Sequence, residues 1–516
     1  MFIFWINKEI KRILKIFVEL LYVKNLTLKG INYMIVGKIE TKMNWDNLLS
    51  GVRLRDGQVK DRTLLNEFDL RNDFDDDYGR LIFSSAVRRL QDKAQVFPLD
   101  NSDFVRTRLT HSHEVSTIGR SIGVSLEENL IKTGQLNEEH RGKISALLAI
   151  VGLIHDLGNP PYGHFGEAAI QKYFKSWFST PDGRVFEAKL GPDKAADFTN
   201  FEGNAQTFRL LSKLNNLKDE FGYNLSAATL ATILKYPRSA TEGNKSKEER
   251  KKDSLGVSYK KFGYLQSEVD RFLAVQEYTG IGTHRHPVTF LLEAADDIAY
   301  SAADIEDGCK KKVLDYSTIE KILITHLSKG STEDKAILKS FIDTYSKNFE
   351  EDRDDKLDNA VQNFRIQAQG YMIKSVVKEF LNRHDKILNG DFDQEIIENS
   401  DGANVRKAFE DLADIIFKNR EIIMREYTGG KVIHGLLEMF VSTVVSENRY
   451  NSKTEEGKLF LLISDNYRDI MKKYPTEQSK GVPSLYDHLL LVTDFVCGMT
   501  DTYALDLYRK LTGIKL

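Results

Sequence analysis

One adjacent histidine–aspartate pair stands where an ion could use it. In LLAIVGLIHDLGNPPYGHFGE, Leu147 to Glu167, an apolar run ends at His155-Asp156, and Gly158 and Pro160-Pro161 then interrupt it. A second helix is expected to start near His164. An imidazole nitrogen beside a carboxylate oxygen is a mixed donor set that suits a divalent Mn, Fe, Co, Ni or Mg ion. Alone the pair is weak evidence, because 11 histidines and 76 acidic residues should produce roughly one such dipeptide by chance. A second pair, His384-Asp385, lies among Leu381, Asn382, Arg383 and Lys386 and reads as a solvated helix end. The first pair has better company. Upstream, RTRLTHSHEV (Arg106–Val115) puts Arg108 three residues before His111, on one helical face. Downstream, EAADDIAYSAAD repeats Asp296, Tyr300 and Asp304 every four residues among alanines, which let something bulky approach. Taken singly, His111 could be a bonded core histidine and the stripe a solvated face; together with His155-Asp156 those bland readings weaken.

Helices must position these groups. From Asn44 onward, apolar residues recur at spacings of three and four in Ile144–His155, Val288–Asp304, Val361–Arg383 and Ser484–Leu511. No strand–helix alternation and no repeat is visible, so an all-α fold is expected. Polar Arg238–Lys261, with KSKEERKK, and Thr180–Asn200, with Pro181, Gly183, Gly191 and Pro192, read as irregular surface insertions within one domain, residues 43–516. Residues 1–42 read as an N-terminal extension of doubtful structure. Met1–Val23 is apolar but broken by Lys8, Glu9, Lys11, Arg12, Lys15 and Glu19, which suits neither a spanning helix nor a secretory signal. It is compatible with an amphipathic surface helix or with an upstream stretch preceding a start at Met34 or Met43.

Composition narrows the function. The 516 residues carry 73 Lys+Arg against 76 Asp+Glu, a net charge of −3, which argues against a nucleic-acid coat protein. Two cysteines, Cys309 and Cys497, cannot build a disulfide scaffold or a Cys-rich zinc site, and they fit a cytoplasmic setting. Gly429-Gly430-Lys431 lacks the remainder of a P-loop, and Gly280-Ile281-Gly282 lacks a third glycine. Phosphate chemistry here must use side chains and a metal.

These motifs resemble the HD-domain deoxynucleoside-triphosphate triphosphohydrolases of the dGTPase type. The resemblance runs from Asn44 to Leu516 through RLIFSSAVRRLQDKAQVFP (Arg80–Pro98), RTRLTHSHEV, HDLGNPPYGHFGEAAI (His155–Ile170), FEGNAQTFRLL (Phe201–Leu211), LKYP (Leu234–Pro237), EAADDIAYSAADIED (Glu293–Asp307) and DFVCGMTDTYALDLYRKL (Asp494–Leu511). It implies an HD-type helical bundle with additional helices. By position it implies metal ligands at His111, His155, Asp156 and Asp296, with Asp297 a competitor for the last. The catalytic pair falls on His164 and Glu167, three apart at a helix start. Arg108, Lys235 and Lys261 match phosphate-binding residues, with Tyr236 and Asn204 beside them. Gln95 and Asp304 match residues that grip a 3′-hydroxyl, and Tyr300 would pack on the sugar and exclude a 2′-hydroxyl. Asn159 departs from relatives that carry histidine there, and an amide cannot shuttle a proton.

The activity so implied is metal-dependent hydrolysis of a dNTP at the α-phosphorus, giving a deoxynucleoside and inorganic triphosphate, with Mn²⁺, Mg²⁺, Co²⁺, Ni²⁺ or Fe²⁺ as the ion. The resemblance also implies a tetramer or hexamer and leaves room for a dNTP or single-stranded DNA effector; no stable membrane insertion is expected. Two rival readings keep parts of this. One changes the substrate to a monophosphate, cyclic nucleotide or alarmone. The other is a nucleic-acid-binding regulator with an inactive site, for which the basic 245–252 stretch is a weak candidate.

Overall fold

KISALLAIVGLI has no polar face to turn to water, so the helix it forms, Lys143–Ile154, has to lie at the centre. It does, with every residue from Leu147 to Ile154 buried. The computed structural model describes residues 42–59, 69–100, 102–215, 218–476 and 482–514. Among them the structure is helical throughout, and the only β features are three isolated bridges. The chain from Asn44 to Leu516 forms one compact unit. No helix of the described residues is long and apolar enough to cross a membrane. The expectation for residues 1–42 falls, but for its last residue, outside the described part.

The helices that carry or brace the polar cluster are α1 (Arg108–Lys132), α2 (Lys143–Ile154), α3 (His164–Phe178), α4 (Gly203–Ser212), α5 (Ala227–Ile233), α6 (Pro287–Lys310), α7 (Lys356–Leu388), α8 (Ala403–Phe417), α9 (Arg420–Val445), α10 (Leu485–Cys497) and α11 (Asp501–Leu511). α1 lies along α2, and small residues set how closely. A Cβ at Gly152 would come within 2.7 Å of the Ser116 backbone, and one at Gly123 within 2.6 Å of Ser145 Cα. The hydroxyl of Ser116 donates to the Ala149 carbonyl across the same seam at 2.7 Å. α6 packs across both helices, α7 and α8 cover α6, and α9 packs on α3, α10 and α11. The beginning of α1, the end of α2 and the middle of α6 are thereby brought together.

Two readings of irregular structure need correction. Thr180–Asn200 holds two helices, Pro181–Leu190 and Pro192–Thr199, each with proline in its first turn. The prolines and Gly191 (φ 76°) mark starts and a stop rather than a loop, because proline suits the first helical position and glycine the left-handed exit. Within Arg238–Lys261, Lys247–Lys252 forms a helix with no buried residue, closed by a Ser246–Glu249 capping box. The flanks of that stretch turn inward, where Arg238, Ser239 and Ser258 are buried.

Candidate active site

Each polar group is delivered by a helix end or a helix face with a local reason to be there. Thr107 caps α1 in a reciprocal box with Thr110, which starts the helix at Arg108 and leaves His111 in its first turn. α2 runs out at His155, and Gly158 then turns tightly against α4. A Cβ at Gly158 would sit 2.1 Å from Thr207 N, and its own N–H donates to Thr207 Oγ1 at 2.9 Å. On α6 the four-residue stripe survives as one face carrying Asp296, Tyr300 and Asp304.

Three donors converge. The Nε2 of His111 lies 3.1 Å from Asp296 Oδ1, and the Nε2 of His155 lies 3.4 Å from the same oxygen. The ligand atoms of His111, His155 and Asp296 all fall within 4.8 Å of one another. His155 donates Nδ1–H to the Gly152 carbonyl at 2.8 Å, which leaves the lone pair on Nε2, a buried atom with no hydrogen-bond partner. Burial opposes a charged His155, but the carboxylates of Asp156 and Asp296 outweigh it and raise its pKa. Burial likewise works against ionised Asp296, yet Lys235 and the two histidines hold its pKa well below the usual carboxylate range. Asp156 stands at the edge of this set. Its Oδ1 is 3.5 Å from His155 Nε2, but it also accepts from Asn159 Nδ2 at 2.8 Å, while Oδ2 is held by Arg108. Two side chains pull this carboxylate aside, so the mutual cluster has three members among the described residues rather than four.

The cluster opens into a cavity of about 270 Å³. Gln95, Arg108, His111, Asp156, His164, Asp296 and Tyr300 all contribute to its wall. His164 keeps 76% of its side-chain surface open, and its Nδ1 donates to Glu167 Oε2 at 2.8 Å. The other Glu167 oxygen accepts the Gly203 N–H at 2.8 Å. The Glu167 contact raises the pKa of the His164 ring above its ordinary value. Burial would raise Glu167, but His164, Lys261 and the Gly203 N–H together lower it. Tyr300 stacks on Phe417 and meets His111 edge-on, each at 6.3 Å between ring centroids. Beneath it lies buried Asp304, whose Oδ2 has no hydrogen-bond partner; Gln95 Oε1 is unpartnered too.

The remaining sequence-derived residues sit behind the wall. Lys235 Nζ donates to Asp296 Oδ2 at 2.9 Å, and Tyr236 is buried beside it. Lys261 Nζ and Asn204 Nδ2 both donate to Glu202 Oε1, at 2.8 and 2.7 Å. Burial and the neighbouring Glu167 push Glu202 up to about 7. Asp297 also lines the cavity, but it turns to Arg406 at 3.2 Å, which favours Asp296 as the ligand.

Sequence reasoning missed Glu202, Phe417, Phe165 and Glu426. Glu202 was visible only as a neighbour of Asn204. Glu426, on α9, is 6% exposed and lines the same cavity, and burial pushes its carboxyl up to about 7. It has no hydrogen-bond partner among the described residues. No spacing relative to the other motifs could have pointed to it.

Comparison with known proteins completes the picture. No family model matches the chain. A deoxyguanosinetriphosphate triphosphohydrolase-like protein of Listeria monocytogenes is 38% identical over 489 residues, covering 92% of this chain and 100% of the relative. One from Synechocystis is 35% identical over 483 residues, with 92% and 100% covered. A deoxyguanosinetriphosphate triphosphohydrolase of Salmonella paratyphi A is 30% identical over 498 residues, with 87% and 95% covered.

Proposed function

The chain belongs to the deoxyguanosinetriphosphate triphosphohydrolase family, and on that premise we propose that its cavity hydrolyses a deoxynucleoside triphosphate, dGTP foremost, to deoxynucleoside and inorganic triphosphate. The observation that carries the reading is one cavity whose wall combines His111 and Asp296 of the three-donor cluster with an exposed, carboxylate-backed histidine and with Gln95, whose Oε1 is unpartnered.

The donor set fits a divalent cation. His111, His155 and Asp296 would hold it, with Asp156 alongside, and the Nε2 of His155 has no hydrogen-bond partner to compete with an ion. When bound, such an ion supplies Lewis acidity at the α-phosphate and toward the attacking water. Mn²⁺, Mg²⁺, Co²⁺, Ni²⁺ and Fe²⁺ all suit this nitrogen–oxygen set.

The chain's own residues do the rest. Water adds to the α-phosphorus, the bond to the 5′ oxygen breaks, and that oxygen leaves with a proton. His164 moves a proton through Nε2, because Nδ1 is engaged by Glu167. Arg108, whose buried Nε has no partner, offers a planar donor array to phosphate oxygens. Lys235 and Lys261, with Asn204 and Tyr236, supply charge and donors along the triphosphate. Tyr300 packs against the deoxyribose, and Gln95 and Asp304 present their free acceptor oxygens to the 3′-hydroxyl. Glu426 adds a carboxyl to the cavity wall that Phe417 and Phe165 also line, and there it would accept from the N–H edge of a purine.

The same proposal covers residues 43–516 as a single HD-type domain that self-associates, as tetramer or hexamer, and responds to a dNTP or single-stranded DNA. Two buried free thiols, Cys309 and Cys497, agree with a cytoplasmic setting. The test incubates the protein with each dNTP and Mn²⁺ or Mg²⁺ and resolves the products. Nucleoside plus triphosphate is expected; monophosphate plus pyrophosphate would overturn the assigned bond.

A further inference from the structure

The lysine of LQDKAQVFP and the aspartate of CGMTDTYAL have no part in the roles assigned above, yet both side chains are deeply buried beside those groups. Lys93 is 3% exposed and Asp501 2%. Lys93 Nζ donates to the Asn159 carbonyl at 2.6 Å and to the Cys497 carbonyl at 2.7 Å. Asp501, the first residue of α11, accepts the Ala94 N–H on Oδ2 and the Tyr162 N–H on Oδ1, each at 2.9 Å. The Tyr162 hydroxyl returns to the Asp501 carbonyl at 3.0 Å. The Lys93 carbonyl meanwhile accepts the Arg108 N–H at 2.9 Å.

The chain directions make this arrangement consequential. Ala94 is followed by Gln95, on the sugar side of the cavity. Asn159 and Tyr162 belong to the turn between His155-Asp156 and His164. That turn is strained: Tyr162 has φ 64° and Gly163 φ 58°, and a non-glycine residue holds such a conformation only when its surroundings overdetermine it. One carboxylate and one ammonium therefore fix two separate cavity walls to the same turn between α10 and α11. Burial of the Lys93 ammonium, the Asp501 carboxylate and the Tyr162 hydroxyl is tolerated because each of them is bonded.

We propose that Lys93 and Asp501 form a clasp of positioning residues that holds the 3′-hydroxyl grip at Gln95 in register with the proton-transferring His164. The clasp touches neither substrate nor ion. It acts through the backbone, and a displacement of about 1 Å at such a centre costs about a hundredfold in rate. This inference rests on the triphosphohydrolase reading.

The experiment compares wild type, Asp501→Asn and the milder Tyr162→Phe, each assayed well below its melting temperature. Hydrolysis of dGTP and of its 2′,3′-dideoxy analogue is measured, with Mn²⁺ binding followed separately. If wild type releases no triphosphate, the functional reading itself falls. With an active wild type, kcat on dGTP is expected to drop about a hundredfold in Asp501→Asn and a few-fold in Tyr162→Phe. The preference for dGTP over the dideoxy analogue should shrink as well, while Mn²⁺ affinity stays within about twofold. A general loss of folding would lower both substrates equally and leave that preference intact. An equal loss on both substrates, an unchanged kcat, or a lost Mn²⁺ site would overturn the clasp. Should Asp501→Asn not fold, Tyr162→Phe decides the matter by the same ratio.

Discussion

His155-Asp156 and His384-Asp385 are the same dipeptide in two regions of one molecule, and they have opposite fates. Both histidines are buried, at 4% and 5% exposure. The ring of His384 is occupied on both sides: Trp45 Nε1–H donates to its Nε2 at 3.2 Å, and the Gln135 amide lies 3.2 Å from its Nδ1. Trp45 also stacks on it at 6.2 Å between centroids. The ring of His155 is occupied on one side only, by the Gly152 carbonyl, and its other nitrogen faces two carboxylates. The aspartates differ as well. Asp385 is 72% exposed, whereas 17% of the Asp156 side chain is open and that side chain is bonded to Arg108 and Asn159. What distinguishes a candidate ligand from a packed core histidine is thus the second nitrogen, not the dipeptide. The expectation of a solvated helix end at His384 was mistaken, because a histidine whose nitrogens are satisfied packs readily inside.

The comparison can be broken by substitution. His155→Ala has the largest expected effect, losing both Mn²⁺ binding and turnover, read by calorimetry and by triphosphate release. His384→Ala should keep both and instead lower unfolding stability by about 1–3 kcal/mol, since Trp45 Nε1 loses its acceptor. Metal loss in that variant would erase the contrast. His164→Ala sharpens the picture within the cavity: bound Mn²⁺ should persist while kcat falls about 10²–10⁴-fold. Loss of metal there would mean that the proton and metal roles are misassigned.

The smallest expected effect is a pH dependence of stability. His164 titrates above its ordinary 6.5 in the folded protein through its bond to Glu167. Its contribution is therefore complete below the unfolded value and fades as pH rises through the folded one. The melting temperature of wild type should exceed that of His164→Ala by more at pH 6 than at pH 9. Because the ring is largely open to water, the difference should be only about 1–2 °C. An equal gap at both pH values would mean that the pair is not ionic.

Legibility followed the range of the physics. The helices, and the ends that carry His111, His155 and His164, follow from apolar periodicity and breakers acting over a few residues. The Asp296–Tyr300–Asp304 face follows from helical geometry alone. Local breakers also misled at Pro181 and Pro192, where they open short helices. Lys93 and Asp501 had no local pattern, because their side-chain partners lie tens to hundreds of residues away; Glu202 and Glu426 had none because only packing between distant helices brings them to the site.

The order of side chains along each helix was therefore written in the sequence, since a 3.6-residue turn decides which residues share a face. Tertiary packing alone decided which faces meet. It left one histidine nitrogen open and closed the other, turned Asp156 toward Arg108, and brought an α9 carboxyl into a cavity that starts on α1. Those outcomes depend on close approach between helices distant in the chain, where a glycine at 152 rather than any larger residue sets the distance.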